Sequence, residues 1–298
     1  MRLAIQPSNA APLAVAWEEC ACLLCGGERH TPVLEAADPV THLQFLIVRC
    51  DHCGLSFTNP RPDAVSIAPF YPSDYRCHQT KNATNKIDPL SRFLPLHGLA
   101  RLLDFGCGSG DFLTRMQSLG WTGTGIDASE TAVACVRARG HVAHVGTLPH
   151  DDLISECFEA IVMRQSLEHT HQPLDVLQAA LGHLTCGGRL IVAVPNFDSF
   201  AANWFGADWH GLDLPRHLAH FTSASLRLML QRTGFKNVEL HQQIRTSWIR
   251  HSAELRRRRG EAGFGSRLLQ TRIGSSVVGG WGRLCERADC LIAVAAKS

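Results

Sequence analysis

Three groups of residues in this chain have the types and spacing to do chemistry. The first is Asp104-Phe105-Gly106-Cys107-Gly108-Ser109-Gly110, preceded by Leu102-Leu103. An acid followed by alternating glycines reads as a buried strand turning tightly into a helix, where missing β-carbons let a nucleotide-sized ligand approach the backbone. The spacing differs from the G-x-G-x-x-G of dinucleotide sites and lacks the Gly-Lys-Ser/Thr of a phosphate loop. A second strand-like run, Thr122–Ile126, ends in Asp127, whose carboxylate can accept hydrogen bonds from a ribose diol. The second group is Cys22-Leu-Leu-Cys25-Gly26 and Cys50-Asp-His-Cys53-Gly54. Each is a knuckle whose glycine permits a tight turn, and together the knuckles supply four thiolates for a closed tetrahedral zinc site, a structural role. Cys20 and His52 are spare donors nearby. The third group is Glu168-His169 and Pro215-Arg216-His217-Leu218-Ala219-His220-Phe221. Histidine titrates near working pH and can take a proton, and arginine can hold a carboxylate or phosphate.

Asp104–Gly110 and Asp127 together resemble motifs I and II of the class I S-adenosylmethionine (SAM)-dependent methyltransferases. Leu-Glu-His at 167–169 followed by Gly187-Gly-Arg-Leu-Ile-Val-Ala-Val-Pro-Asn196 resembles the second half of that core. The resemblance covers roughly residues 98–240, and paired cysteine knuckles recur as a companion module in one bacterial branch. It implies an α/β fold: a doubly wound, mostly parallel seven-stranded Rossmann-like sheet with a small N-terminal zinc-ribbon-like module. It implies SAM as cofactor, held by Asp104, Phe105, Gly106, Cys107, Gly108, Gly110, Asp127, Ala128, Thr147, Arg164, Gln165 and Ser166. Cys107 is expected there for steric fit, since no basic residue adjoins it to activate a thiolate.

Methyl transfer from a sulfonium is a direct displacement, so alignment and exclusion of water supply much of the rate. A hydroxyl, amine or enolisable carbon acceptor must also lose a proton. His217 is the expected base, with His169, His220 and Arg216 as further catalytic candidates; Pro-Arg-His-Leu-x-His-Phe resembles a family pattern at this place. The competing role for His217 is a structural imidazole bonded to a loop carbonyl, and His169 divides between catalysis and shaping the cofactor turn. A metal held by His210, Asp213, His217 and His220 is a weaker reading, because proline and glycine interrupt the stretch. Trp204, Phe205 and Trp209 are expected as core, lid or apolar pocket wall.

The elements that must position these groups follow from pattern. Short apolar runs alternating with helical stretches predict parallel strands at Arg101–Asp104, Thr122–Ile126, Val142–Gly146, Glu159–Arg164 and Arg189–Pro195. Asp111 and Ser129 are the expected caps of the first two helices, which stop at Gly120 and Gly140. A helix over Pro173–Leu184 is broken by Gly187-Gly188. Helix Ser223–Thr233 and strands Asn237–His241 and Asp289–Ala296 complete the sheet, the last two as an antiparallel pair. Boundaries are expected at 1–21 for a flexible N-terminus, 22–60 for the zinc module, 61–97 for a connecting segment over the site, and 98–298 for the methyltransferase domain with insertions at 196–222 and 245–286. Tyr71 and Tyr75 are candidates for substrate or cofactor contact, or for packing the seam between the parts.

The chain has 298 residues, 45% hydrophobic and 19% charged, with a formal net charge of +2. That excludes a global polyanion-binding field, so nucleic acid is disfavoured. Twelve cysteines without a leader pattern point to a reducing, cytoplasmic setting, and no apolar run reaches the roughly 18 residues of a membrane span. The acceptor is expected to be a small molecule or saccharide, methylated at oxygen, with nitrogen or carbon as alternatives. The competing functions are a zinc-knuckle RNA base methyltransferase, which lacks here the Asn/Asp-Pro-Pro-Tyr/Phe signature after the fourth strand, and a non-catalytic scaffold. The 245–286 insertion is expected to cover the cleft or form a homodimer contact, with membrane docking of Arg256–Arg259 and Ile273–Trp281 as a weaker reading.

Overall fold

A computed structural model describes residues 15–71, 88–94, 100–261 and 263–298, so Tyr75 lies outside the described residues. The N-terminal part is a small antiparallel assembly: β1 (Trp17–Glu18), β2 (His30–Ala37), β3 (Gln44–Cys50), β4 (Ser56–Thr58) and β5 (Arg61–Pro62). β1 pairs with β5, and Arg61 Nε donates to Glu18 at 2.7 Å. β1 thus lies within the 1–21 stretch expected to be flexible. Each knuckle turns at its glycine in the left-handed region, Gly26 at φ 70° and Gly54 at φ 75°, where any side chain would be strained.

The larger sheet starts with β6 (Arg101–Phe105), followed by α1 (Asp111–Ser118), β7 (Thr122–Asp127), α2 (Glu130–Ala138), β8 (Val142–Val145), β9 (Phe158–Arg164), α3 (Pro173–His183) and β10 (Leu184–Pro195). β8, β7, β6, β9 and β10 lie side by side in that order, all parallel. Alternation along the strands sends side chains to two cores. Leu103, Ile161, Met163, Leu190 and Val192 join one, while Leu102, Ala160, Val162, Ile191 and Ala193 join the other with α1 and α2. Both faces are covered, which is why these strands read as unbroken apolar runs.

Two local expectations are corrected. Asp111 is the first residue of α1, not its cap; the cap position is Gly110 at φ 79°, and the Asp111 carboxylate accepts from Arg139 Nη1 at 2.7 Å. The Pro173 helix ends at His183, before the glycine pair, which lies instead in the irregular first half of β10. Ser129 does cap α2, accepting from the Ala132 amide at 3.3 Å.

Beyond β10 come α4 (Phe200–Phe205), β11 (Ala219–His220), α5 (Ser223–Arg232), β12 (Lys236–Gln243), the three helices α6 (Thr246–Arg258), α7 (Phe264–Gln270) and α8 (Arg272–Leu284), and β13 (Cys290–Ala296). β13 runs antiparallel between β10 and β12, completing seven strands. Thr222 caps α5 through a reciprocal pair with Ser225. β11 belongs to the other sheet: it pairs with β4, so the four-stranded order is β11-β4-β3-β2. A third apolar core, including Phe45, Ile47, Phe205, Trp209, Leu212 and Ile249, joins the cysteine module to the 196–222 connection and α6. Among the described residues no helix is long and apolar enough to cross a membrane.

Candidate active site

The glycine turn and Asp127 meet at the carboxyl edge of the parallel strands. Gly106, Gly108 and Gly110 all have positive φ, at 75°, 52° and 79°. A β-carbon on Gly106 would sit 2.6 Å from Ser166 Cβ, and Ser166 Oγ donates to the Phe105 carbonyl at 2.8 Å. Asp127 clips the turn, its carboxylate accepting from the Gly108 amide and the Ser129 amide, each at 2.9 Å. Each of its oxygens keeps a further lone pair for a ligand hydroxyl.

Asp104 is fully buried at the end of β6. Burial raises its carboxyl to about 6 against the opposing pull of Arg164, whose Nη2 lies 3.5 Å away. Its Oδ1 is buried with no hydrogen-bond partner, the condition a cationic or hydrogen-bonding group on a ligand would relieve. These features fit SAM: an acidic floor, a turn no side chain could share, and an acid at the end of the neighbouring strand. Arg164 also lies over the Phe112 ring, 4.2 Å from its centroid. Gln165 is turned to the sheet, its amide donating to the Ala193 carbonyl at 3.0 Å. Phe105 and Cys107 are buried, while Ala128 and Thr147 are exposed at the rim. Burial raises the Cys107 thiol well above its ordinary value, and its sulfur stands where a Gly125 β-carbon would be 2.7 Å away.

Two residues past Ser166, Glu168, His169 and His217 converge, with ligand atoms all within 4.8 Å of one another. His217 is buried, and its Nδ1 lies 2.9 Å from the Gly211 carbonyl. A carbonyl only accepts, so Nδ1 carries the proton and Nε2 presents a lone pair. Nε2 lies 3.9 Å from Glu168 Oε1 and 3.9 Å from Asp213 Oδ2. Burial, then the neighbouring His169, keeps His217 neutral well below its ordinary titration range. His169 is held the same way, its Nδ1 donating to the Arg216 carbonyl at 3.0 Å, with the Tyr71 hydroxyl 3.2 Å from the same nitrogen. Glu168 is fully buried, neither carboxyl oxygen has a hydrogen-bond partner, and burial raises it to about 8.

Arg216 and His220 stand behind this group. Arg216 Nη1 donates to the Phe70 carbonyl at 2.7 Å, Nη2 to Asp38 at 3.2 Å and Nε to Asp213 at 2.9 Å. The guanidinium thus ties the module to the loop and is not presented to an acceptor carboxylate. Burial would raise Asp213, but Arg216 overrides it and holds that carboxyl well below the usual range. Thr58 Oγ1 donates its single proton to the His217 carbonyl at 2.8 Å, so at 3.1 Å it must accept from His220 Nε2. Burial pushes His220 down to about 3. His210, 4.9 Å from His251 between ring centroids, does not converge with Asp213, His217 and His220 on a common point among the described residues. Of the aromatic residues, Phe205 and Trp209 are core, and Trp204 is half exposed. A cavity of about 550 Å³ opens beyond Asp213, walled by β2, residues 207–214 and the end of α6.

Neither Glu168 nor Asp213 was expected to hold SAM or to handle the proton: the first stood out only as part of the Glu-His pair leaving β9, and the second only as a metal-ligand candidate with His210, His217 and His220. Nothing local marked Asp38.

In the cysteine module, Cys22 Sγ lies 3.4 Å from Cys53 Sγ, and Cys25 Sγ 3.5 Å from Cys50 Sγ, with all four sulfurs within 4.8 Å. Tetrahedral Zn–S bonds of about 2.3 Å put sulfurs roughly 3.8 Å apart, so the donor set fits zinc. Burial raises Cys53 to about 11; at Cys50 the amides of Cys53 and His52 outweigh burial and bring the thiol to about 7.

This combination of sheet order, glycine turn and paired acids defines a Rossmann-like methyltransferase fold. The sequence pattern of the family described as "Methyltransferase domain" matches residues 78–240, more than half of the chain, and the chain belongs to that family. Among curated relatives, the ubiquinone biosynthesis O-methyltransferase of Xanthomonas oryzae pv. oryzae is 32% identical over 145 residues, 46% of this chain and 60% of that protein. The protein of that name from Caulobacter sp. is 35% identical over 109 residues, 34% of this chain and 43% of its own length. The chain thus spans about 60% or less of these two relatives. Among solved structures, a chain from the complex between the Haloferax volcanii Trm112 methyltransferase activator and a methyltransferase superposes with TM-score 0.51 at 17% identity, covering 70% of this chain and 86% of that one.

Proposed function

We propose that this protein is a SAM-dependent methyltransferase acting on a hydroxyl of a small-molecule or saccharide acceptor. The observation that carries the reading is the shared edge: the buried, unpartnered oxygen of Asp104 and Asp127 flank the glycine turn, and Ser166, which closes that turn, leads directly into Glu168-His169. SAM would be held by Asp104, the Gly106–Gly110 turn and Asp127, where it supplies an electrophilic methyl group. The O-methyltransferase names of the curated relatives support oxygen and a small acceptor.

The chain's own part is the proton and the alignment. His217 Nε2, left as a lone pair by the Gly211 carbonyl, accepts the acceptor's hydroxyl proton, and the resulting imidazolium is stabilised by the ionised Asp213 carboxylate, 3.9 Å from that nitrogen. His169, held by the Arg216 carbonyl, and Tyr71 shape the wall beside it. Arg216 and His220 serve as positioning residues. The cavity beyond Asp213, walled partly by Trp209, Leu212 and Leu214, adjoins the His217 group through Asp213 alone and is proposed to take the part of the acceptor distal to the reacting hydroxyl. Zinc in the four-cysteine set is proposed as structural.

Calorimetric titration with SAM, wild type against Asp127→Ala, tests the cofactor site; about tenfold or more weaker binding in the variant is expected. Methyl transfer from labelled SAM to fractionated metabolites then tests the acceptor class. Folded protein that does not bind SAM, or label entering RNA alone, rejects the proposal.

A further inference from the structure

The helix α8 is built inside out. The residues it turns toward protein, Gly274, Ser275, Gly279 and Gly282, are buried. They are small because the approach is close: a β-carbon on Gly274 would meet the Leu268 carbonyl oxygen at 2.3 Å, and one on Gly279 would meet Ile244 Cγ2 at 2.4 Å. Apart from Val278, which packs partly against the third core, the large apolar residues of the same helix face outward. Ile273, Val277, Trp281 and Leu284 recur at helical spacing on one stripe and are 78%, 66%, 58% and 80% exposed. A water-facing helix ordinarily turns such a stripe inward, and an exposed one marks an interaction surface.

Charge decides what covers it. Residues 245–286 hold nine arginines against three glutamates, with no lysine or aspartate. Part of this charge is spent internally: Arg256 and Arg259 face Asp208, and Arg257 and Arg258 share Glu254. Arg272 and Arg283, on the flank of the stripe, are exposed. A second copy docked on this face would set one positive surplus against another, which opposes self-association. A bilayer containing anionic lipid meets both features, with an apolar phase for the stripe and negative headgroups for the arginines.

We propose that α8 seats this protein on an anionic lipid surface, lying in the headgroup plane with its outward stripe inserted. The inference stands on the helix alone and does not require the methyl-transfer reading.

The test is co-sedimentation of the full chain with vesicles of about three parts phosphatidylcholine to one part phosphatidylglycerol, and with phosphatidylcholine alone. Binding is expected on the anionic vesicles and is expected to weaken as salt rises. In the doubly substituted Ile273→Ser/Trp281→Ser protein, checked for an unchanged melting profile, it is expected to fall by about tenfold or more. Three results overturn the proposal: no binding by wild type; equal binding by that variant while Arg272→Gln/Arg283→Gln abolishes it, which means a general polyanion surface; or a lipid-free dimer that the serine variant disperses, which means a second copy is the occupant.

Discussion

Glu168 places a carboxyl group wholly out of water with neither oxygen bonded, and its protonation carries a cost that depends on pH. Its pKa rises from 4.5 in free solution to about 8 in the fold. A group raised in this way lends its full stability below the unfolded value, and that contribution drains away as pH climbs through about 8. Glu168→Gln has no proton to lose, so its stability relative to wild type should grow between about pH 4.5 and 8, by up to about 4 kcal/mol. Denaturant melts at both ends of that range check this; a difference independent of pH would mean that Glu168 is already ionised in the fold. His217 moves the other way. Burial favours its neutral form, so the base form persists as pH falls, and the acid limb of kcat/KM should lie below about 6.5. His217→Ala should slow turnover by about two to four powers of ten with SAM affinity kept. Turnover at the wild-type rate would leave His217 only its bond to the Gly211 carbonyl. The sequence disclosed these imidazoles because histidine is sparse in chemical alternatives. It did not disclose that Asp38 would absorb Arg216 beside the neighbouring Asp213, since Asp38 and Arg216 lie 178 residues apart in the chain.

Among the elements, β11 matters beyond its two residues. Ala219 and His220 pair with Phe57 and Ser56, so the stretch carrying His217 is stitched to the cysteine module as an edge strand. Thr58 holds the pairing from the side, donating to the His217 carbonyl and accepting from His220. Thr58→Val removes both hydrogen bonds at nearly constant volume. We expect a loss of about 1–3 kcal/mol and a lower kcat with the Kd for SAM unchanged; a rise in that Kd would show that the strand serves the cofactor turn instead. The long apolar runs behind β6, β9 and β10 were legible because burial on both faces leaves a pattern over many residues. A two-residue strand has no period to read, and the cap of α1 was misassigned because Gly110, by adopting a left-handed conformation, took the place that the sequence offered to Asp111.

At the scale of the molecule, the cysteine module and the methyltransferase sheet share a core in which Val48, Leu55 and Phe57 join Leu103, Phe105 and Met163. If zinc organises the four sulfurs, its removal should be felt at the catalytic edge and not only at the N-terminus. Treatment with a strong chelator is expected to release about one zinc per chain and abolish methyl transfer, while Asp104, the glycine turn and Asp127 continue to bind SAM. Simultaneous loss of SAM binding would mean that the module supports the whole sheet. The modular layout was readable from the paired knuckles and the glycine turn. The joint between them was not, because it is made by short stretches that only tertiary packing brings side by side.

The stitched edge also bears on redesign. An attempt to alter the proposed acceptor preference would exchange the loop that carries His217. Here that loop ends as a strand cut to fit β4, hydroxyl of Thr58 included. A donor loop would arrive without its mate, so new acceptor preference should travel between proteins of this build only when residues 56–58 and 209–221 are moved as a matched pair.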